Sequence, residues 1–150
     1  MLLVDWPTCR VAVGERRRRV AIQKEIKNLG MPWEDEFGYA QGVKVGDTIY
    51  LAGQVSHDDK GVTVGKGDME AQMRQAYANI EVILSEYGAT MDNIVHEITF
   101  VTDIDAANKV AGKVRREVFG GVPQVTSTLI GAARLVSPDY LIEIRAEARV

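Results

Sequence analysis

Few residues in this 150-residue chain have side chains and spacing suited to chemistry. Thr126, Ser127 and Thr128 stand in a row and lead into an apolar stretch, VTSTLIGAARL, in which no charge appears before Arg134. Such a run is either a set of ordinary β-formers or a line of short, neutral hydrogen-bonding groups. Near the end of the chain, Glu143, Arg145, Glu147 and Arg149 alternate with Ile142, Ile144, Ala146 and Ala148. This period of two puts the charges on one face of a strand, where cross-strand pairing is their common use. His57, His96 and the single Cys9 share no ligand spacing, so no metal site is expected. His96 falls on a strand face with Ile98 and Phe100 and reads as a hydrogen-bonded, partly buried histidine. No His/Lys/Arg constellation suited to phosphoryl transfer is visible.

Charge is unevenly spread. Residues 1–20, which include the run ERRRR, sum to +3, and residues 21–150 to −6. The basic run is a solvated tail or a phosphate-binding arm. The acidic body repels nucleic acid, whose binding requires phosphates to be neutralised. With 46% hydrophobic residues and this length, one domain with its own core is expected over residues 21–150. Residues 1–20 have no periodic apolar face and are expected to be a dispensable extension. No apolar run approaches the roughly 18 residues of a membrane span. Asp5 interrupts MLLVDW too early for a secretory segment, and one cysteine fits a reducing cytoplasm.

The reactive residues must be positioned by elements legible from periodicity. VAIQKEI (20–26) reads as a short strand and NLGMPWEDEFG (28–38) as a loop. YAQGVKVG (39–46) and TIYLAGQVS (48–56) read as two strands around Gly46-Asp47, followed by a glycine-rich loop. Asp68 is an N-cap for a helix with the stripe Met73, Ala76, Tyr77, Ile80, Ile83 and Leu84, stopped at Gly88. A strand over 94–103 precedes a helix from about Asp105, which ends at Gly120, Gly121 and Pro123. Strands over 126–136 and 140–150 close the chain. The order β-β-α-β-α-β-β predicts an α+β fold, one sheet with two helices on one face. The uncovered face is partly apolar, which favours self-association.

The ordered set GYAQGVKVGDTIYLAGQVSHD, ANIEVILSEYGATMDNIVHEITFVTDID and LIEIRAEA resembles the Rid superfamily. These are the reactive intermediate deaminases, also called the YjgF or L-PSP endoribonuclease family. The resemblance covers about residues 36–149. It implies a chorismate-mutase-like (ferredoxin-like) fold, a homotrimer around a central axis and small-molecule clefts between subunits. It also implies hydrolysis of amino-acid-derived enamines and imines to a keto acid and ammonia, without a cofactor. On this resemblance Tyr39 matches a tyrosine at the cleft, Gly53 a glycine whose backbone helps to bind ligand, and Glu143 the carboxylate that positions water. Trp33, Phe37 and His57 fall near that cleft, as wall or as packing. The chain also departs from the family pattern. Ala52 stands where active members often have serine, and Ala111 near a ligand-binding asparagine. The arginine that grips the substrate carboxylate is replaced by Ser127 when aligned on AAR-Leu, or by Val125 when aligned on Pro123. Arg134 matches a different, more distal arginine. Ser127 and Thr128 are thus the expected ligand contacts of an arginine-lacking branch.

Three functions compete on this reading. One is an enamine or imine hydrolase acting on something other than simple amino-acid imines. Another is a non-catalytic ligand-binding trimer. The third, RNA cleavage, is disfavoured by the acidic body and the missing phosphoryl-transfer residues.

Overall fold

The computed structural model describes residues 21–150. The extension 1–20, with Cys9 and the basic run, lies outside the described residues. Strands β1 (Glu25–Lys27), β2 (Gly42–Val45), β3 (Thr48–Leu51), β4 (Gln54–Val55), β5 (Ile94–Val101), β6 (Thr126–Gly131) and β7 (Ile142–Arg149) form one sheet. Its order is β1-β2-β3-β7-β5-β6, with β4 continuing along β7 beyond β3. All pairings are antiparallel except β5 with β6, which are parallel and joined through helix α3 (Ile104–Val118). Helix α2 (Met69–Ser85) packs beside α3, and both share a core with Ile49, Leu51, Val101 and the inner face of β7. This is the expected α+β architecture with two long helices on one sheet face.

Strand β7 sits mid-sheet and alternates as its sequence demands. Ile142, Ile144, Ala146 and Ala148 are buried, while Arg145 and Arg149 are exposed. Burial contributes about 1.5–3 kcal/mol for each isoleucine. The helices begin at aspartate caps. Asp68 Oδ1 accepts a hydrogen bond from Ala71 N at 3.0 Å, and Asp103 Oδ1 accepts one from Ala106 N at 2.9 Å. The second helix therefore starts at Ile104, one residue before the expected Asp105, with Asp103 as its cap.

The structure differs from the sequence reading at several further elements. Of the described residues of the first expected strand, only Glu25 and Ile26 pair with β2, and the pairing runs on to Lys27. The segment expected as a loop contains a short helix, α1 (Pro32–Phe37). Pro32 pre-sets its first turn, and Gly38, at φ 67°, takes the left-handed conformation that closes it. The expected strand 48–56 is broken. From Tyr50–Glu147 to Gln54–Ile144 the pairing advances four residues on one strand and three on β7, so a bulge lies at Ala52-Gly53. Both closing strands are shorter than expected. β6 stops at Gly131 because its partner β5 ends at Val101, and β7 starts at Ile142 because Leu141 N bonds Gln72 Oε1 instead of the sheet.

Register assigns every strand residue to a face. On the uncovered face, Ile26, Val43, Tyr50, Glu147, His96 and Thr126 form one row, and Val55, Glu143, Phe100 and Ile130 another. His96 Nδ1 lies 2.9 Å from Thr126 Oγ1, as the expected hydrogen-bonded histidine would.

On the covered face, Glu97 is fully buried. Arg115 Nη2 lies 3.0 Å from its Oε1, and the Tyr77 hydroxyl donates to its Oε2 at 3.1 Å. Burial, and then the Glu97 charge, push the Tyr77 phenol far above its ordinary pKa. Removing one partner of such a pair strands a charge in the core. Arg115→Met should therefore lower stability by about 3 kcal/mol, and Glu97→Gln in that background should recover much of the loss. Urea unfolding midpoints of the three proteins check this.

Candidate functional site

A cavity of about 500 Å³ opens beside the bulge. Four segments build it. Helix α1 and the residues after it bring Trp33, Phe37 and Tyr39; the bulge and β4 bring Ala52, Gly53 and Val55; the turn before β7 brings Val136, Ser137 and Tyr140; β7 brings Glu143. Buried polar side chains pin these segments. The Glu34 carboxylate accepts hydrogen bonds from Leu29 N at 2.9 Å and Gly30 N at 3.0 Å, which fixes the α1 segment. Gln72, on α2, donates to Asp139 O and accepts from Leu141 N, each at 2.8 Å, which fixes the turn around Tyr140. Asn79 donates to the carbonyls of Val55 and His57 at 3.0 Å, which fixes the end of β4.

Glu143 is the carboxylate that the described residues bring to the cavity wall. Its side chain points to the uncovered face, across from Val55. Gly53 makes room for it: a Cβ built there would come within 2.7 Å of Glu143 Cδ and closer still to Oε1. The bulge thus places a glycine where any other residue would displace the carboxylate. Burial alone holds the Glu143 carboxyl above the ordinary carboxylate pKa. Among the described residues no cation or donor is hydrogen-bonded to it. Tyr39 stands nearby, its phenol raised by burial first and by the carboxylates of Glu34 and Glu143, against a lowering hydrogen bond from Gln41.

The structure brings Glu143, Tyr39 and Gly53 into one cavity, with Ala52 beside them. It does not bring Ser127 and Thr128 there. Both are exposed on the edge strand β6. Register pairs Ser127 with Glu97, on the face opposite Glu143, and Thr128 with Ile98, on the same face as Glu143. His57 is buried behind the cavity wall. Its ring meets Trp33 edge-on at 5.0 Å, and its Nδ1 donates to Asp58 O at 2.8 Å. Ala111 packs against the core and does not line the cavity. Sequence reasoning missed Val136, Ser137 and Tyr140. The Ser137-Pro138-Asp139 turn was visible, but nothing in its pattern told that α2 would hold it against β7.

The profile of the family described as Endoribonuclease L-PSP matches residues 34–150. The chain belongs to that family, the Rid or YjgF superfamily. A RutC family protein of Pyrococcus abyssi is 33% identical over 110 residues, covering 73% of this chain and 84% of the relative. A 2-iminobutanoate/2-iminopropanoate deaminase of Dermatophagoides farinae is 31% identical over 100 residues, covering 65% of this chain and 74% of that protein. Among solved structures, a YjgF/YER057c/UK114 family member from Mycobacterium tuberculosis superposes with a TM-score of 0.73 at 30% identity, over 85% of this chain and all of that one.

Within this Rid-family cavity the sign of the Glu143 shift has a measurable effect. A carboxyl with a raised folded pKa binds its proton more tightly in the folded state. Stability is therefore lost as pH rises from the unfolded value, about 4.3, through the folded one. Glu143→Gln removes this titration. The variant should be more stable than wild type at pH 7, and the difference should shrink towards zero below about pH 4. Denaturation midpoints at the two pH values check it; a difference independent of pH would contradict a buried carboxylate.

Proposed function

We propose that this protein is an imine or enamine hydrolase whose substrates are not the simple imines of amino acids. The observation that carries this reading is the unpartnered, half-buried Glu143 carboxylate in a largely apolar cavity. Hydrolysis needs a water beside the electrophilic carbon and a group that moves its protons. Glu143 takes a proton from water as the water oxygen bonds to the carbon of the protonated imine, giving a neutral carbinolamine. Glu143 returns that proton to nitrogen, the C–N bond breaks with its electron pair leaving on nitrogen, the hydroxyl proton passes through Glu143 to the departing ammonia, and a carbonyl compound and ammonium result. One water is consumed and nothing is oxidised or reduced. A raised pKa brings the base nearer to neutral pH, where proton transfer is most effective. Tyr39 would line the substrate, and Gly53 would present backbone to it and keep the carboxylate in place. The deaminase relative supports the reaction class. Among the described residues no Lys or Arg lines the cavity wall, which argues against amino-acid imines, whose carboxylate wants a guanidinium.

The cleft would be completed by self-association into a homotrimer. Ile26, Tyr50 and Ile130 are exposed on the face that lacks helices, and β6 is exposed along its whole length. In such an assembly the edge of a neighbouring subunit would bring Thr128 to the ligand by its side chain, and Ser127, on the other face, by its backbone. Ala52, in place of the family's serine, favours a second reading, a trimer that binds ligand without turning it over. RNA cleavage lacks support from the histidines: His57 is buried and His96 is engaged with Thr126.

Imines generated in situ, with release of the carbonyl product followed against the uncatalysed rate, test the reaction. Glu143→Gln should slow it by about 10²–10⁴-fold. Gly53→Ala should cost at least about tenfold, since a misplaced catalytic group loses its geometry. No acceleration by wild type with any imine would leave the binding reading. Native mass spectrometry should find three chains per particle; a stable monomer at micromolar concentration would sink the trimer.

A further inference from the structure

We infer that the ligand of this cavity is a carboxylate-free cation, an iminium or ammonium compound carrying an aryl or bulky alkyl group. For the chemical step the inference rests on the hydrolase reading above, but the recognition argument stands on the cavity wall. Among the described residues of one chain, Glu143 is the one lining residue with a formal charge. An anionic ligand would be placed against a like charge that has no counter-ion. A cationic ligand would supply the counter-ion that Glu143 lacks. The nearest cation on the same strand face, Arg145, is exposed, and its guanidinium lies 3.0 Å from Glu147 Oε1 on the side away from Glu143. Arg134 does not reach the wall.

The rest of the wall is suited to the same ligand. Trp33, Phe37, Tyr39 and Tyr140 contribute aromatic rings, whose negative faces attract cationic nitrogen and whose bodies pack on apolar groups. Val55 and Val136 add aliphatic surface. A volume of about 500 Å³ lies within the range of small-molecule sites and accepts an aryl-alkyl skeleton. Protonation also makes an imine carbon more electrophilic, so the charge that Glu143 recognises is the one that activates the substrate. The balanced step is an aldiminium plus water giving an aldehyde plus ammonium.

Two probe pairs of matched skeleton test this on the assembled protein. By titration calorimetry, 2-phenylethylammonium should bind at least tenfold more tightly than 3-phenylpropionate, and Glu143→Gln should weaken only the ammonium. A thermal transition for the variant confirms that it is folded. In turnover, the imine released by a flavin amine oxidase from 2-phenylethylamine should be hydrolysed at least tenfold faster than the carboxylated imine released by an amino-acid oxidase from phenylalanine. Tighter binding of the carboxylate, or preferred hydrolysis of the carboxylated imine, overturns the inference while leaving the hydrolase reading intact. Binding of neither probe also overturns it. Glu143-dependent ammonium binding without hydrolysis of either imine supports the inference and removes the hydrolase reading.

Discussion

Strand β7 cannot slip. It lies in the middle of the sheet and pairs with β3 and β4 on one side and with β5 on the other. One of its faces is Ile142, Ile144, Ala146 and Ala148, all buried; the other is Glu143, Arg145, Glu147 and Arg149. A shift of one residue would drive four charges under the helices and leave the aliphatic face uncovered. That constraint fixes the register of the neighbouring strands, the side of the sheet on which α2 and α3 pack, and the direction in which Glu143 points. The bulge at Ala52-Gly53 is adjusted to it. The extra residue reverses the parity of the partner strand, so that Gln54 turns inward and Val55 faces the cavity opposite Glu143.

Two glutamates on opposite faces of the same sheet show two ways of burying a carboxylate. Glu97 is fully buried but paired with Arg115 and hydrogen-bonded by Tyr77. Its charge is compensated, and it braces α2 and α3 against β5. Glu143 is less buried but has no such partner among the described residues, and burial alone raises its pKa. The less buried carboxylate is thus the one left to meet what enters the cavity.

The cavity walls come from segments without strong periodicity, and a different device holds each. Glu34, Gln72 and Asn79 are buried side chains whose hydrogen bonds go to backbone groups of loops. A buried polar group left unpaired costs more than a satisfied one contributes, so these contacts allow few alternative loop arrangements. They set Trp33, Tyr39 and Tyr140 around one carboxylate, and they tie the α1 loop, the bulge and the turn before β7 to the same framework. On this framework the described residues of the cavity wall present one carboxylate and no guanidinium.

Local pattern determined much of this protein. The period of two in β7, the helical stripe from Met73 to Leu84 and the Asp68 cap each act within a few residues, so sequence alone placed these elements and the α+β class. The ordered match to the Rid superfamily singled out Glu143, Tyr39 and Gly53 before their positions were known. Tertiary structure decided what depends on contacts between distant segments. Whether 48–56 is one strand or two depended on its pairing with β7, nearly a hundred residues away. That Tyr140 belongs to the cavity depended on Gln72, 69 residues from the Leu141 amide it accepts from. Ser127 and Thr128 alternate faces as neighbours in any strand do, and only parallel pairing with β5 decides that Thr128 is the one on the side of Glu143. The physical reason is common to all three: periodicity records which side of an element is apolar, while a site is made where elements meet, and that meeting is set by register and loop closure.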